Sequence, residues 1–293
     1  MSTFFLLTVT GFGLGAMYFL IASGLSLIYG LMGVLNFAHG AFLTVGAYAT
    51  WFAESKLGGL SVLPRFLLAA LVGLVVGGIV AALVELFLIR PLYGRHIEQV
   101  LVTVGLGLAL TALVGAIWGQ DARPVAAPGW VGGTTHVVGA AIPNDRWVEI
   151  AAAAATLAGL EAFLRRTRYG LIIRAGVENR AMVTALGIDV RRAFTLVFAL
   201  GGVAAAVAAV LSTLYFGTVD PQKGTSLLIF AFIVVVIGGL GSLRGTAVAA
   251  VVVGLVQQYA NYYASSGLGD LSVVLLLGLV LLVRPRGLSG SFA

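Results

Sequence analysis

Apolar stretches follow one another along the whole chain, and polar residues gather at the joins between them. Nine stretches are predicted as helices: 4–29, 35–53, 66–89, 100–118, 147–163, 193–215, 226–240, 246–262 and 267–283. A helix needs about 20 apolar residues to cross a ~30 Å hydrocarbon layer. The seventh stretch has only 15 residues, so a half-helix or re-entrant piece is expected there. The pattern fits an all-α polytopic bundle of about 8–10 transmembrane helices. The first stretch has no basic start and no convincing cleavage site, and is expected to stay as the first span.

Composition agrees. Hydrophobic residues make up 60% of the 293, charged residues 10%, and the mean hydropathy is +1.08. A soluble domain carries about 25% charged residues. No tract is long enough for a separate soluble unit, so residues 1–293 read as a single membrane domain. Cysteine is absent, which removes disulfides, thiolate chemistry and Cys-based metal sites.

Charge sets the orientation. Alternation of the spans puts Arg90, Arg95, Arg165, Arg166, Arg168, Arg174, Arg180, Arg191, Arg192, Arg244, Arg284 and Arg286 on one side. Lys56, Arg65, Arg123, Arg146 and Lys223 fall on the other. Basic residues favour the cytoplasmic side, so the N-terminus is expected outside and the C-terminus inside. The net charge of +6 serves topology in this reading and does not point to nucleic acid.

Two connections stand out. Residues 119–146, rich in Gly and Pro, are expected outside, either as a plain surface connection or as cover for an entrance or a delivery protein. Residues 165–192 are expected inside and hold seven arginines. A helical apolar pattern runs through them at Ile172, Ala175, Met182 and Leu186. Such a segment lies along a membrane or docks into a partner's groove.

Small residues recur at Gly11, Gly13, Gly15, Gly105, Gly107, Gly201 and Gly202, and again at Gly238, Gly239 and Gly241. Close helix packing explains most of them. The run from Gly238 to Gly245 also suits a broken helix that exposes backbone to a pathway. At helical spacing, Ser26, Tyr29, Gly33, Asn36 and Gly40 form one stripe, with His39 beside it, provided that the glycines do not interrupt the helix. Asn36 and His39 at membrane depth either orient a polar solute or tie two helices together.

Glu85 is read as a relay or gate, or as a partner that Arg90 reaches by local bending. Glu161 precedes Arg165 by four residues and reads as a helix-end ion pair. The three histidines are far apart and suggest no metal cluster, and no nucleophile–base pairing or phosphate loop is visible.

Several separated motifs resemble one family over nearly the whole chain. They are 24–32 (GLSLIYGLM) followed by Asn36-Phe37-Ala38-His39-Gly40, and Gly46-Ala47-Tyr48. Further on come Tyr169-Gly170, Arg174-Ala175, Glu178-Asn179-Arg180-Ala181, 185–188 (ALGI), Val190-Arg191-Arg192, Gly238-Gly239-Leu240-Gly241-Ser242 with Gly245, and 284–288 (RPRGL). These resemble the membrane-spanning permease subunit of the branched-chain amino acid ABC importers.

The resemblance implies a type II ABC importer-like bundle in a bacterial inner membrane that translocates a branched-chain amino acid or similar small polar solute. It implies a second homologous permease, two cytoplasmic ATPase subunits and a periplasmic solute-binding protein as partners. ATP would be used by those ATPases, with no cofactor, metal or catalytic residue on this chain. The solute pathway is expected near Ser26, Tyr29, Asn36, His39, Gly238, Gly239 and Gly241. Residues 165–192 are expected to be the coupling loop, with Arg174, Glu178, Asn179, Arg180, Gly187 and Arg191 orienting it or meeting an ATPase. Urea and short amides stay open as solutes. A self-contained channel or secondary transporter is the competing class, but an ion-driven carrier usually needs an intramembrane ionisable relay, for which Glu85 is a modest candidate.

Overall fold

A computed structural model describes residues 2–178, 180–187, 189–265 and 267–289. It is an all-α bundle. The helices are α1 (Ser2–Met32), α2 (His39–Lys56), α3 (Val62–Val84), α4 (His96–Trp118), α5 (Asn144–Arg166), α6 (Arg168–Glu178), α7 (Arg180–Ala185), α8 (Val190–Phe216), α9 (Lys223–Gly238), α10 (Leu243–Tyr263) and α11 (Leu268–Val283). A π-helical turn (Glu85–Ile89) and a 3-10 turn (Arg90–Leu92) extend α3.

Each of the nine expected stretches coincides with a helix. They are not nine equal crossings. Among the described residues, five helices or helix runs are long and apolar enough to cross a membrane: α1, α3 with its extension, α4, α5 and α8. The α9–α10 pair, bent by 118°, makes a sixth if taken as one broken span, and α11 is a shorter apolar helix.

Helix α1 is the axis, buried along most of its length. It packs against α10, α8, α5 and α9. Its contact with α10 is backbone to backbone. A β-carbon on Gly15 would lie 2.6 Å from the Ala250 carbonyl oxygen, and one on Gly254 would lie 2.4 Å from the Gly15 nitrogen. Likewise, Gly202 of α8 meets the Gly77 carbonyl of α3. Lipid and core are equally apolar, so packing closeness rather than water exclusion holds such helices together. The packing reading of these glycines therefore holds, whereas Gly105 faces open space, where a β-carbon would meet nothing within 4 Å.

The helix directions reproduce the alternation expected from charge. α10 runs antiparallel to α1, with Thr8 beside Tyr259, Tyr18 bonded to Gln257 and Ser26 beside Thr246. The end of α3 meets the start of α8 through Glu85 and Thr195, and the end of α5 meets the start of α10 through Glu161 and Arg244. All these arginine-bearing ends gather where α1 finishes. Arg65–Glu54 and Arg146 beside Gly13 lie at the opposite end.

The connection 119–146 is more than a simple loop. Strands β1 (Arg123–Pro124), β2 (Thr134–Val137) and β3 (Ala140–Pro143) lie in it, and β4 (Thr218–Val219) follows α8. β2 and β3 form a hairpin, and β1 pairs antiparallel with β4. Ile142 and Ala140 are buried, and β3 contacts α1.

Candidate functional site at the interrupted spans

The first interruption follows α1. The predicted single-face stripe fails here because the helix stops at Met32, and Gly33 takes φ +65, a left-handed conformation that suits glycine. Ser26 and Tyr29 therefore stay on α1, Asn36 sits in the break and Gly40 belongs to α2. The Asn36 Oδ1 accepts from the Ala38 N–H at 3.1 Å, and its carbonyl accepts from the His39 N–H at 3.2 Å. This side-chain turn replaces lost helix bonds. Thr103 of α4 supports the break from outside: its Oγ1 accepts from the Phe37 N–H at 3.3 Å.

The chain then folds back along α1. His39 Nε2 lies 3.1 Å from the Ile21 carbonyl, and a β-carbon on Gly24 would touch the His39 ring. Asn36 and His39 are both fully buried. Within this chain they tie the break to α1. Among the described residues, Asn36 Nδ2 and His39 Nδ1 have no hydrogen-bond partner.

The second interruption lies between α9 and α10, where a broken helix was read from the glycine run. Gly239 and Gly241 take φ +96 and +85. Gly238 lies against Gly245 and Thr246, and Ser242 caps α10 by accepting from the Gly245 N–H at 3.1 Å. The segment after α11 returns to this break, with the Leu288 N–H donating to the Ile237 carbonyl at 2.8 Å. Gly238 and Gly239 are buried, and Gly241 is half-buried.

The first interruption also sets the start of α2 against the start of α9, which follows β4 and lies at the opposite end of α9 from the second interruption. The start of α2 and the start of α9 meet at Gly40 and Gly224, and Thr44 Oγ1 donates to the Pro221 carbonyl at 3.2 Å. Helix N-termini carry partial positive charge. Beside this junction is a cavity of about 250 Å³ between α2, α4 and α9. Phe37, Ala41, Gly107, Leu108, Thr225, Ile229 and Phe232 are among its walls. Phe37 stacks on Phe232 at 4.8 Å. Phe232, Thr225 and Ile229 were not expected at a site, because on an apolar helix nothing in the sequence distinguishes a cavity wall from a lipid-facing side chain.

Ser26 and Gly241 line a different cavity, of about 390 Å³, at the arginine-rich end. Ser26 is also within 3.2 Å of Thr246 Oγ1. Tyr29 is half-buried near the end of α1. The structure thus divides the expected pathway residues between two cavities and the packed breaks.

The loop 165–192 forms α6 and α7. Ile173 is buried against Leu27, Leu160, Val197 and Leu243, and Val183 packs on Val190 and Phe194. The predicted apolar pattern splits. Ile172 and Ala175 pack inward, while Met182 and Leu186 are 62% and 70% exposed. Arg174, Glu178, Gly187 and Arg191 are exposed, and Gly187 turns the chain with φ +78. Asp189 caps α8 through the Arg191 N–H. Asn179 and the Arg180 side chain lie outside the described residues.

Glu85 has the structural pairing expected from local bending. The π-helical turn puts it fully buried against the Arg90 guanidinium, with Nη2–Oε2 at 3.2 Å. The Thr195 hydroxyl donates to it at 2.6 Å and the Tyr93 hydroxyl also donates. Tyr93 in turn stacks edge-on against Phe194, beside α7. Glu161 pairs more closely with Arg244, Nη2–Oε2 at 2.9 Å, than with the expected Arg165 at 4.0 Å. Sequence reading passed over Glu149. It is fully buried one turn into α5, 3.5 Å from Arg146, whose guanidinium lies 3.6 Å from the Tyr215 ring centroid.

Apolar spans around a buried axis, interrupted after α1 and between α9 and α10, with two helix starts meeting beside a cavity, define a multi-pass membrane protein. The chain belongs to the family of branched-chain amino acid transport system permease components, whose model matches residues 7–284. It is 32% identical to the high-affinity branched-chain amino acid transport system permease protein LivH of Escherichia coli, over 96% of this chain and 93% of that one. It is 31% identical to BraD of Pseudomonas aeruginosa, a permease of the same description, over 96% and 94%. A chain of PsaBC from Streptococcus pneumoniae, solved in complex with a Fab, matches with a TM-score of 0.49 at 14% identity, covering 94% of this chain and 91% of that one.

Proposed function

We propose that this chain is the translocation subunit of an ABC importer for branched-chain amino acids in a bacterial inner membrane. The observation that carries the solute pathway is the convergence of the α2 and α9 starts on the apolar cavity between α2, α4 and α9. The helix N-termini suit a carboxylate. Phe232, Ile229 and Leu108 suit a branched aliphatic side chain. This pairing favours an amino acid over urea or a short amide, which lacks the carboxylate. Asn36 and His39 hold the break in place, and the Gly238–Gly241 turn lets α9 end within the bundle. Ile229 and Leu108 leave the cavity open on the outer wall of the chain, and a second homologous permease would close it.

The α6–α7 segment is proposed as the coupling element. Met182 and Leu186 would enter a groove on one of two cytoplasmic ATPases, with Arg174, Glu178, Asn179, Arg180, Gly187 and Arg191 around them. ATP is used there, and this chain needs no cofactor of its own. A periplasmic binding protein would deliver the solute over the β2–β3 hairpin. Coupling requires that ATP-bound and ATP-free partners differ in their contacts with this segment.

The test is leucine uptake into proteoliposomes by the assembled complex. Ile229→Trp should narrow the cavity without disturbing the core, since Ile229 is 60% exposed. Uptake should fall while subunit assembly and solute-independent ATP hydrolysis persist. Unchanged uptake would place the pathway elsewhere.

A further inference from the structure

A second cavity, which holds the expected pathway residues Ser26 and Gly241, shares no wall residue with the α2–α4–α9 cavity on which the proposed pathway rests. The 390 Å³ cavity at the arginine-rich end lies between α1, α5, α6 and the start of α10. Arg165, Arg174 and Arg244 are on its walls with one carboxylate, Glu161. Three guanidinium groups against one carboxylate leave an excess of two positive charges. Glu161 is already engaged by Arg244. Arg174 has no ion-pair partner among the described residues. The start of α10 adds its partial positive charge from Ser242 and Leu243. The remaining wall is apolar, at Leu27, Leu31 and Leu164.

The same three long helices continue into an apolar groove of about 160 Å³. On α5 the groove residues Ala154 and Leu157 come just before Glu161. On α10, Ala247 and Val251 come just after Arg244, and on α1, Phe12 and Phe19 precede Ser26. One turn of helix is about 5.4 Å, so the basic cavity and the apolar groove are about one turn apart on α5 (Leu157 to Glu161) and α10 (Arg244 to Ala247) and about two turns apart on α1 (Phe19 to Ser26). A charged mouth at the cytoplasmic end leading into an apolar slot between spans matches one chemical shape.

We infer that this cleft binds an anionic phospholipid, with its phosphate among Arg165, Arg174 and Arg244 and one acyl chain along the α1–α5–α10 groove. A free phosphate would use the arginines but leave the groove unfilled. An acidic segment of a partner protein would likewise have no use for a slot that runs toward the opposite face. Basic pockets between spans on the cytoplasmic side are suited to anionic headgroups.

The experiment uses the full chain, purified in detergent and exchanged into nanodiscs of phosphatidylcholine with or without phosphatidylglycerol. Native mass spectrometry counts the phospholipid retained after release from the disc. Two variants separate head from tail. Arg165→Gln with Arg174→Gln removes charge from exposed side chains and leaves the Arg244–Glu161 pair intact. Ala154→Trp fills the groove without altering charge. The wild type should retain phosphatidylglycerol in preference to phosphatidylcholine. The arginine variant should lose retention by roughly fivefold for each arginine removed, and Ala154→Trp should lower it for both lipids. Equal retention of the two lipids by all three proteins would overturn the inference. Displacement of phosphatidylglycerol by millimolar inorganic phosphate, with Ala154→Trp behaving as wild type, would overturn it in favour of a free-anion site. Circular dichroism and thermal melting confirm that each variant is folded, and the two variants fail independently, so loss of one leaves the other decisive.

Discussion

Gly30 and Gly241 join the two interruptions of this bundle: a β-carbon on either would lie 2.6 Å from the other's Cα. Gly30 is near the end of α1, and Gly241 holds φ +85 between α9 and α10. Gly241→Ala therefore carries two penalties. A left-handed alanine costs about 1–2 kcal/mol, and overpacking adds about 1–3 kcal/mol. Thermal melting in detergent should show a clear loss of stability for Gly241→Ala. Gly105→Ala, in open space on α4, should melt at or above the wild-type temperature. A neutral Gly241→Ala would refute the close approach.

Glu85 joins α3 to α8 at the end that carries α6 and α7. Removing one partner of a buried pair leaves an uncompensated charge and costs about 3–5 kcal/mol, less here because Arg90 is 28% exposed. Glu85→Ala should lower the melting temperature strongly. Glu85→Gln keeps an acceptor for Thr195 or Tyr93 and should fall between Ala and wild type. Should Gln and Ala melt alike, the hydroxyl bonds contribute nothing measurable.

Asn36 shapes its break through Oδ1. Asn36→Leu removes that acceptor, whereas Asn36→Asp keeps it but buries an unpaired carboxylate and should lower expression and assembly. Leucine uptake by the assembled complex should fall further in Asn36→Leu than the yield of complex does. Equal losses in uptake and yield would mean that Asn36 serves folding alone.

Met182 and Leu186 are exposed apolar residues within an arginine-rich segment. Changing both to Asp should reduce co-purification of the proposed ATPase partners and abolish solute-stimulated ATP turnover, with the melting temperature of this chain little changed. Arg180→Glu should lower the same stimulated turnover while affinity for the solute-binding protein stays constant. Full co-purification of the double variant would rule out α7 as the docking surface.

Arg146 lies between Asp145 at 3.1 Å and the buried Glu149 at 3.5 Å, near Gly13. Arg146→Leu strands the Glu149 carboxylate and should destabilise the chain by about 3 kcal/mol or more. Adding Glu149→Leu should recover the part of that loss due to Glu149, with the part due to the closer Asp145 remaining. The double-mutant cycle reads the coupling directly, and strictly additive melting shifts would show that the two residues act separately.

Several features were legible in the sequence because membrane physics writes them in one dimension. The bilayer imposes span length, so each apolar stretch became a helix. Cytoplasmic bias imposes the arginine asymmetry, and the helix directions agree with it. Helix-breaking glycines marked the α9–α10 interruption, and the five-residue step from Glu85 to Arg90 was closed by a π-helical turn.

Other features arose only when the chain folded back on itself. The stripe from Ser26 to Gly40 dissolved because Gly33 ends α1 and Asn36 turns the chain. Glu161 found Arg244, 83 residues away, rather than relying on Arg165. The meeting of Gly40 with Gly224 brought two helix starts to one cavity, and only tertiary contact separates its wall at Phe232 from lipid-facing leucines. The reason is the solvent. Hydrocarbon outside and packed side chains inside are equally apolar, so a membrane helix's sequence fixes that it spans, whereas which of its faces meets a neighbour, a cavity or lipid is decided by how closely other helices can approach.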